Sequence, residues 1–135
     1  MPADPNAKAI VKAAKSGDVA TVRQLLAEDA SLIDARDRDG STPLHCTAWK
    51  GHAKVARTLI EAGANINATN ENTHWGSTPL HAAAHGNNAA VAQLLLDNGA
   101  DIDAADRDGR TPIFHTTFHK ATAVAKLLRE RGATE

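Results

Sequence analysis

Apolar residues recur at helical spacing in three blocks along the chain: Val55, Leu59, Ile60; Val91, Leu94, Leu95; and Val124, Leu127, Leu128. Each block predicts a helix with one buried face, centred near Arg57, Gln93 and Lys126. Each ends at a glycine, Gly63, Gly99 or Gly132, the residue that most readily takes the left-handed conformation closing a helix. Upstream of each block stands Thr-Pro, at Thr42-Pro43, Thr78-Pro79 and Thr111-Pro112. A threonine hydroxyl can cap free N–H groups and proline is tolerated at the first helical position, so helices are predicted to start near these prolines. These helices run to Lys50, His85 and His119, and turns follow at Gly51, Asn87 and Lys120. Glycine and asparagine enter left-handed backbone cheaply, and lysine does not, so the last turn is expected to be the loosest. Polar, Asp/Asn-rich connectors lead to the next Gly-x-Thr-Pro and read as projecting turns.

The pattern is a repeat. Gly40-Ser41-Thr42-Pro43-Leu44-His45 returns as Gly76-Ser77-Thr78-Pro79-Leu80-His81 and as Gly109-Arg110-Thr111-Pro112-Ile113-Phe114, at offsets of 36 and 33 residues. An N-terminal copy is degenerate. Val22-Arg23-Gln24-Leu25-Leu26 matches the second half of a unit, and Ile33-Asp34-Ala35 matches Ile66-Asn67-Ala68 and Ile102-Asp103-Ala104. Its front half, Ala7 to Lys15, lacks Thr-Pro-Leu-His and carries Lys8, Lys12 and Lys15, as suits a terminal unit with one face in water.

These residues resemble the ankyrin repeat. The Thr-Pro-Leu-His starts, the Gly51-His52 turn and the exits Gly63-Ala64-Asn65-Ile66-Asn67 and Gly99-Ala100-Asp101-Ile102-Asp103 carry the resemblance. It implies an all-α repeat solenoid: an ankyrin-type stack of helix-turn-helix units with β-hairpin-like finger loops and very little strand. Residues 1–135 are expected to form one domain. Its units are a degenerate capping repeat at 7–39, then 40–75, 76–108 and a C-terminal 109–135. Three departures stand out. The connector Asn70-Glu71-Asn72-Thr73-His74-Trp75 is three residues longer than its counterpart, and Phe114 and Lys120 replace the usual His and Gly. The chain also ends soon after its last helix, which either closes the stack with Lys126, Arg129 and Arg131 or marks a fragment.

Composition narrows the function. Fifteen Lys+Arg balance 16 Asp+Glu, which argues against a basic nucleic-acid protein and an acidic tail. With four aromatic residues, Trp49, Trp75, Phe114 and Phe118, the core is expected to be aliphatic. The single Cys46 forms no internal disulfide. No apolar run reaches the ~20 residues of a membrane span, and the start lacks signal-peptide character, so a cytoplasmic location is expected. Charge is uneven: residues 76–108 hold one basic and five acidic residues, and 109–135 hold five basic and two acidic.

The resemblance implies binding through finger tips and the open face of the first helices. The candidate partner-binding residues are Arg38, Asp39, Ser41, Trp49, Lys50, His74, Trp75, Ser77, His85, Arg107, Asp108, Arg110, Phe118 and His119. Trp49, Trp75 and Phe118 place aromatic surface there, the residue class that dominates interface hot spots. Truncating Trp75 is expected to weaken binding and leave the melting temperature almost unchanged. His45 and His81 belong to Thr-Pro-Leu-His, and the resemblance makes them structural. His81/His85 and His115/His119 share the i, i+4 spacing that could hold a metal, but no base or further ligand is visible, and no metal site or cofactor is assigned. Asp34, Asp37, Asp39, Asp101, Asp103, Asp106 and Asp108 read as exposed turn formers. Cys46 reads as a small packing residue. No phosphate loop, nucleophile elbow or Cys/His couple supports an enzyme. The expected function is a non-enzymatic protein-interaction module, monomeric by itself and binding neither nucleic acid nor membrane. A small-ligand, metal- or pH-responsive binder using His74, His85, His115 and His119 is the alternative.

Overall fold

The computed structural model describes residues 5–70, 77–118 and 120–134, without the Phe118 side chain. Among them the chain forms α1 (Pro5–Ser16), α2 (Val19–Glu28), a 3-10 turn (Ala30–Asp34), α3 (Pro43–Lys50) and α4 (Ala53–Glu61). It continues through α5 (Pro79–Gly86), α6 (Ala89–Asp97), α7 (Pro112–Phe118) and α8 (Thr122–Glu130). No strand forms among the described residues. Helices α3, α5 and α7 start at the three prolines, and α4, α6 and α8 centre on Arg57, Gln93 and Lys126, as the spacing predicts.

Local chemistry fixes these starts. Thr42 and Thr78 cap α3 and α5, each paired with a histidine three residues on. The backbone N–H of Thr42 donates to His45 Nδ1 at 3.2 Å, and that of Thr78 to His81 Nδ1 at 3.1 Å. A backbone N–H can only donate, so Nδ1 accepts and the ring proton sits on Nε2. Each Nε2 then donates across to the next unit: His45 to the Ser77 carbonyl and His81 to the Arg110 carbonyl, both at 2.9 Å. The same side chain therefore caps the start of one helix and fastens the following finger.

The helices form two rows. α1, α3, α5 and α7 pack side by side, and α2, α4, α6 and α8 run behind them. The core is aliphatic, with Leu44, Leu59, Leu80, Leu95, Leu128, Val22, Val55, Val91 and Val124 all fully buried. Alanines fill the tightest places, among them Ala48, Ala56, Ala83, Ala84 and Ala92. At Gly86 the neighbouring helices α3 and α5 approach so closely that a Cβ would lie 2.5 Å from the Trp49 carbonyl oxygen. Burial of this aliphatic surface is the main favourable term in the stack.

Polar side chains tie unit to unit on the backbone that helix ends leave unpaired. His52 Nε2 donates to the Lys15 carbonyl at 3.0 Å. Asn88, the matching residue one unit on, donates to the carbonyls of Ala48 and Trp49 at 2.7 and 2.8 Å. The matching residue in the last unit is Ala121, which has no such group to offer. The turns between paired helices take left-handed backbone at Gly51, Asn87 and Lys120, with φ of 82°, 54° and 50°. Lysine thus adopts the conformation the fold requires in spite of its side chain.

The fingers are hairpin-like turns. Asp37 N–H donates to the Ser41 carbonyl at 2.9 Å and Gly40 N–H to the Asp37 carbonyl at 3.0 Å; Asp106, Arg110 and Gly109 repeat this at 2.9 and 3.0 Å. Neighbouring connectors are laddered. The Asp101 N–H donates to Asn67 Oδ1 at 2.8 Å, and the Thr134 N–H to Asp103 Oδ1 at 2.9 Å.

Candidate interaction surface

Trp49 stands out from this frame. It lies in the last turn of α3 and is 65% exposed, in a chain whose other large apolar side chains are mostly interior. Lys50 beside it is exposed as well. The Trp49 carbonyl is held by Asn88, so its backbone is fixed while its indole faces solvent. The ring is not packed inside the stack.

A second exposed aromatic lies at the finger end of α7. Phe114 is 41% exposed, and the Arg110 guanidinium carbon lies 5.0 Å from its ring centroid. The pair borders a groove of about 660 Å³, lined also by Asp103, Thr111, Thr117 and Thr134. Arg110 was expected as a contact residue and is exposed; Phe114 was not assigned to the site. The available signal was an aromatic where the other units carry the capping histidine.

The finger-tip residues Arg38, Asp39, Arg107 and Asp108 are exposed. Ser41 and Ser77 differ from expectation. Both are half-buried; the Ser41 hydroxyl accepts from Asn70 Nδ2 at 2.6 Å, and the Ser77 carbonyl accepts from His45 and from the Asn70 N–H. They serve the joints between units. His85 also departs from the open face assigned to it. It is half-buried, and its ring packs 4.7 Å from that of His115. His74, Trp75, His119 and the Phe118 side chain lie outside the described residues.

The expectation that every finger aspartate is an exposed turn former fails at Asp106. It is 7% exposed. Its Oδ1 accepts from the N–H groups of Asp108 and Arg110 at 2.9 Å each, which shapes the finger. Its Oδ2 lies 2.7 Å from His115 Nε2. Burial pushes this carboxyl up, but the donors from Arg110, His115 and Asp108 outweigh it and hold it below the ordinary range. His115 occupies the place of Cys46 and Ala82, one residue past the capping position, and is buried. In the first finger Asp37 takes the same turn role, with Oδ1 accepting from Asp39 and Ser41 and Oδ2 3.6 Å from Lys15 Nζ.

His45, His81 and Cys46 are titratable groups buried in the frame of the stack. Burial is the main cause that lowers His45 to about 4 and lowers His81. Cys46 is buried as expected, and desolvation followed by the Asp37 charge pushes its thiol up to about 11. A thiol held protonated is a poor nucleophile. No helix among the described residues is long and apolar enough to cross a membrane.

Comparison with known proteins agrees with this architecture. The family model described as "Ankyrin repeats (3 copies)" matches residues 1–70 and 68–134. The chain is 43% identical over 68 residues to bovine "Ankyrin repeat domain-containing protein 49", covering 50% of this chain and 28% of that protein. The human protein of that name is 40% identical over 68 residues, with the same coverage. "Serine/threonine-protein kinase VIK" of Arabidopsis thaliana is 47% identical over 55 residues, covering 41% of this chain and 13% of the kinase. The matched stretch is thus less than a third of each relative's length. With capped helix pairs in two rows, hairpin-like fingers and a family match along nearly its whole length, the chain belongs to the ankyrin-repeat family.

Proposed function

We propose that the chain is a non-enzymatic protein-interaction module that presents a preformed surface to a protein partner. Ankyrin repeats generally serve as protein-interaction modules. The observation that carries the reading for this chain is Trp49, a large aromatic 65% exposed on a backbone fixed by the Asn88 bond. An ordered aromatic loses little entropy on binding and contributes a large buried area, which is why such residues dominate interfaces. Lys50, the finger residues Arg38, Asp39, Arg107 and Asp108, and the Arg110–Phe114 pair supply charge and further contact area around such an anchor. His74, Trp75, Phe118 and His119 are proposed to extend the surface on the sequence argument alone. The partner is a protein, the compartment proposed is the cytoplasm, and neither nucleic acid nor membrane is proposed as a ligand. The kinase match covers 13% of that protein, and this chain has no phosphate loop with which to share its chemistry.

The test is affinity capture followed by quantitative binding to the captured protein. Trp49→Ala is expected to leave the melting temperature nearly unchanged and to weaken binding by about 2 kcal/mol or more, the hot-spot scale. A Trp49/Trp75 double variant that folds and binds at full strength would overturn the site assignment.

A further inference from the structure

Three imidazoles and one carboxylate converge where the third and fourth units meet. His81 and His85 come from successive turns of α5, His115 from α7, and Asp106 from the finger between them. The His115 ring lies 5.2 Å from the His81 ring, edge-on, and 4.7 Å from the His85 ring, tilted. One ligand atom from each of His81, Asp106 and His115 can be chosen so that all lie within 4.8 Å of one another, and all three residues are buried. The corresponding places at the preceding joint hold Asn70 and Ala82, so the constellation is particular to this one.

We propose that His81, Asp106 and His115 form a binding site for a divalent transition-metal ion of the zinc class, with His85 at its edge as fourth ligand. Imidazole and carboxylate are the ligands such ions take in tetrahedral sites, at about 2.0–2.2 Å. That places ligand atoms roughly 3.3 Å apart for ideal tetrahedral geometry, so spacings of up to 4.8 Å close and the 2.7 Å Asp106–His115 spacing opens, through side-chain torsions. The groups that orient the ligands are already built. Asp106 Oδ1 is fixed by two backbone N–H groups, leaving Oδ2 to turn toward the ion. For His81, ligation through Nε2 moves the ring proton to Nδ1, which then donates to Thr78 Oγ1, 2.9 Å away. The exchange costs the bond to the Arg110 carbonyl and the one Nδ1 accepts from Thr78 N–H; ligation through His115 Nε2 and Asp106 Oδ2 also replaces their 2.7 Å bond, the ring proton passing to His115 Nδ1, and the ion must outweigh all three. Bound there, it would link α5, the finger and α7, fastening the fourth unit to the third.

The test is calorimetric titration of the chelator-treated chain with zinc chloride, with magnesium chloride as control, alongside thermal melts. The expected result is one zinc ion per chain, a saturable rise in melting temperature and no response to magnesium. Asp106→Asn and His115→Ala place at these positions the residues the preceding unit carries at Asn70 and Ala82, so both variants should fold. Each should weaken zinc binding at least tenfold. His85→Ala should weaken it less, and His52→Asn, which copies Asn88, should leave it unchanged. Zinc that neither binds one-to-one nor shifts the melt would overturn the site, leaving the cluster as a hydrogen-bonded joint. One-to-one binding that survives both Asp106→Asn and His115→Ala would overturn it equally.

Discussion

The two capping histidines show how much one side chain can fix. His45 accepts from its own helix start through Nδ1 and donates to the next finger through Nε2, so it must be neutral to do both. Burial lowers its pKa from 6.5 to about 4, while in the unfolded chain it titrates normally. The folded state therefore resists a proton that the unfolded state accepts. Stability is full above about pH 6.5 and declines as pH falls towards 4, by about 3 kcal/mol for this residue. Denaturant titrations at pH 7 and pH 4 should show at least this loss, because buried His81 is lowered in the same direction, and His45→Gln should reduce the difference by the His45 share. An unchanged difference between the two pH values would contradict the assignment. The histidine shifted by one place in the last unit turns inward to Asp106.

At the scale of elements, the turns between paired helices carry a common demand for left-handed backbone. Gly51 meets it freely and Asn87 at modest cost, but Lys120 meets it at φ 50° with a full side chain. Lys120→Gly should therefore raise stability by about 0.5–1 kcal/mol, the strain relieved less the added freedom of the unfolded chain. Chemical denaturation would measure it, and a destabilised variant would show that the lysine side chain contributes more than its strain. Gly51 allows no reverse experiment of equal simplicity. A Cβ there would stand 2.6 Å from Asn88 Oδ1, in the joint to the next unit.

Across the whole molecule, stability should not be uniform. Three features weaken the fourth unit: Phe114 in place of a capping histidine, the strained Lys120, and Ala121 where His52 and Asn88 bond back to the preceding unit. Asn87 Oδ1, which accepts from the Val124 N–H at 3.2 Å, and the Arg131–Asp97 pair offset this in part. Exposed ion pairs contribute little, so the balance falls on the weaker side. Hydrogen exchange in the metal-free chain should be faster at the amides of α7 and α8 than at those of α3 to α6. Uniform protection across these six helices would refute the ranking.

The sequence by itself determined the starts of α3, α5 and α7, the centres and glycine stops of α4, α6 and α8, and the aliphatic register of the core. Those features rest on local rules: Thr-Pro at helix starts, glycine after helix ends, and apolar residues at a 3.6-residue period. It also named Trp49 and the exposed finger residues, because position within a repeat predicts which face meets solvent. What only the tertiary structure decided are the joints. Asp106 and His115 are nine residues apart, yet the finger turn brings them to 2.7 Å and buries both. His85 leans on His115 because α7 packs beside α5, and Ser41 and Ser77 are taken up by side chains 29 and 32 residues away. A side chain's partner across a stack depends on how the next unit is seated, and no spacing within one unit encodes that.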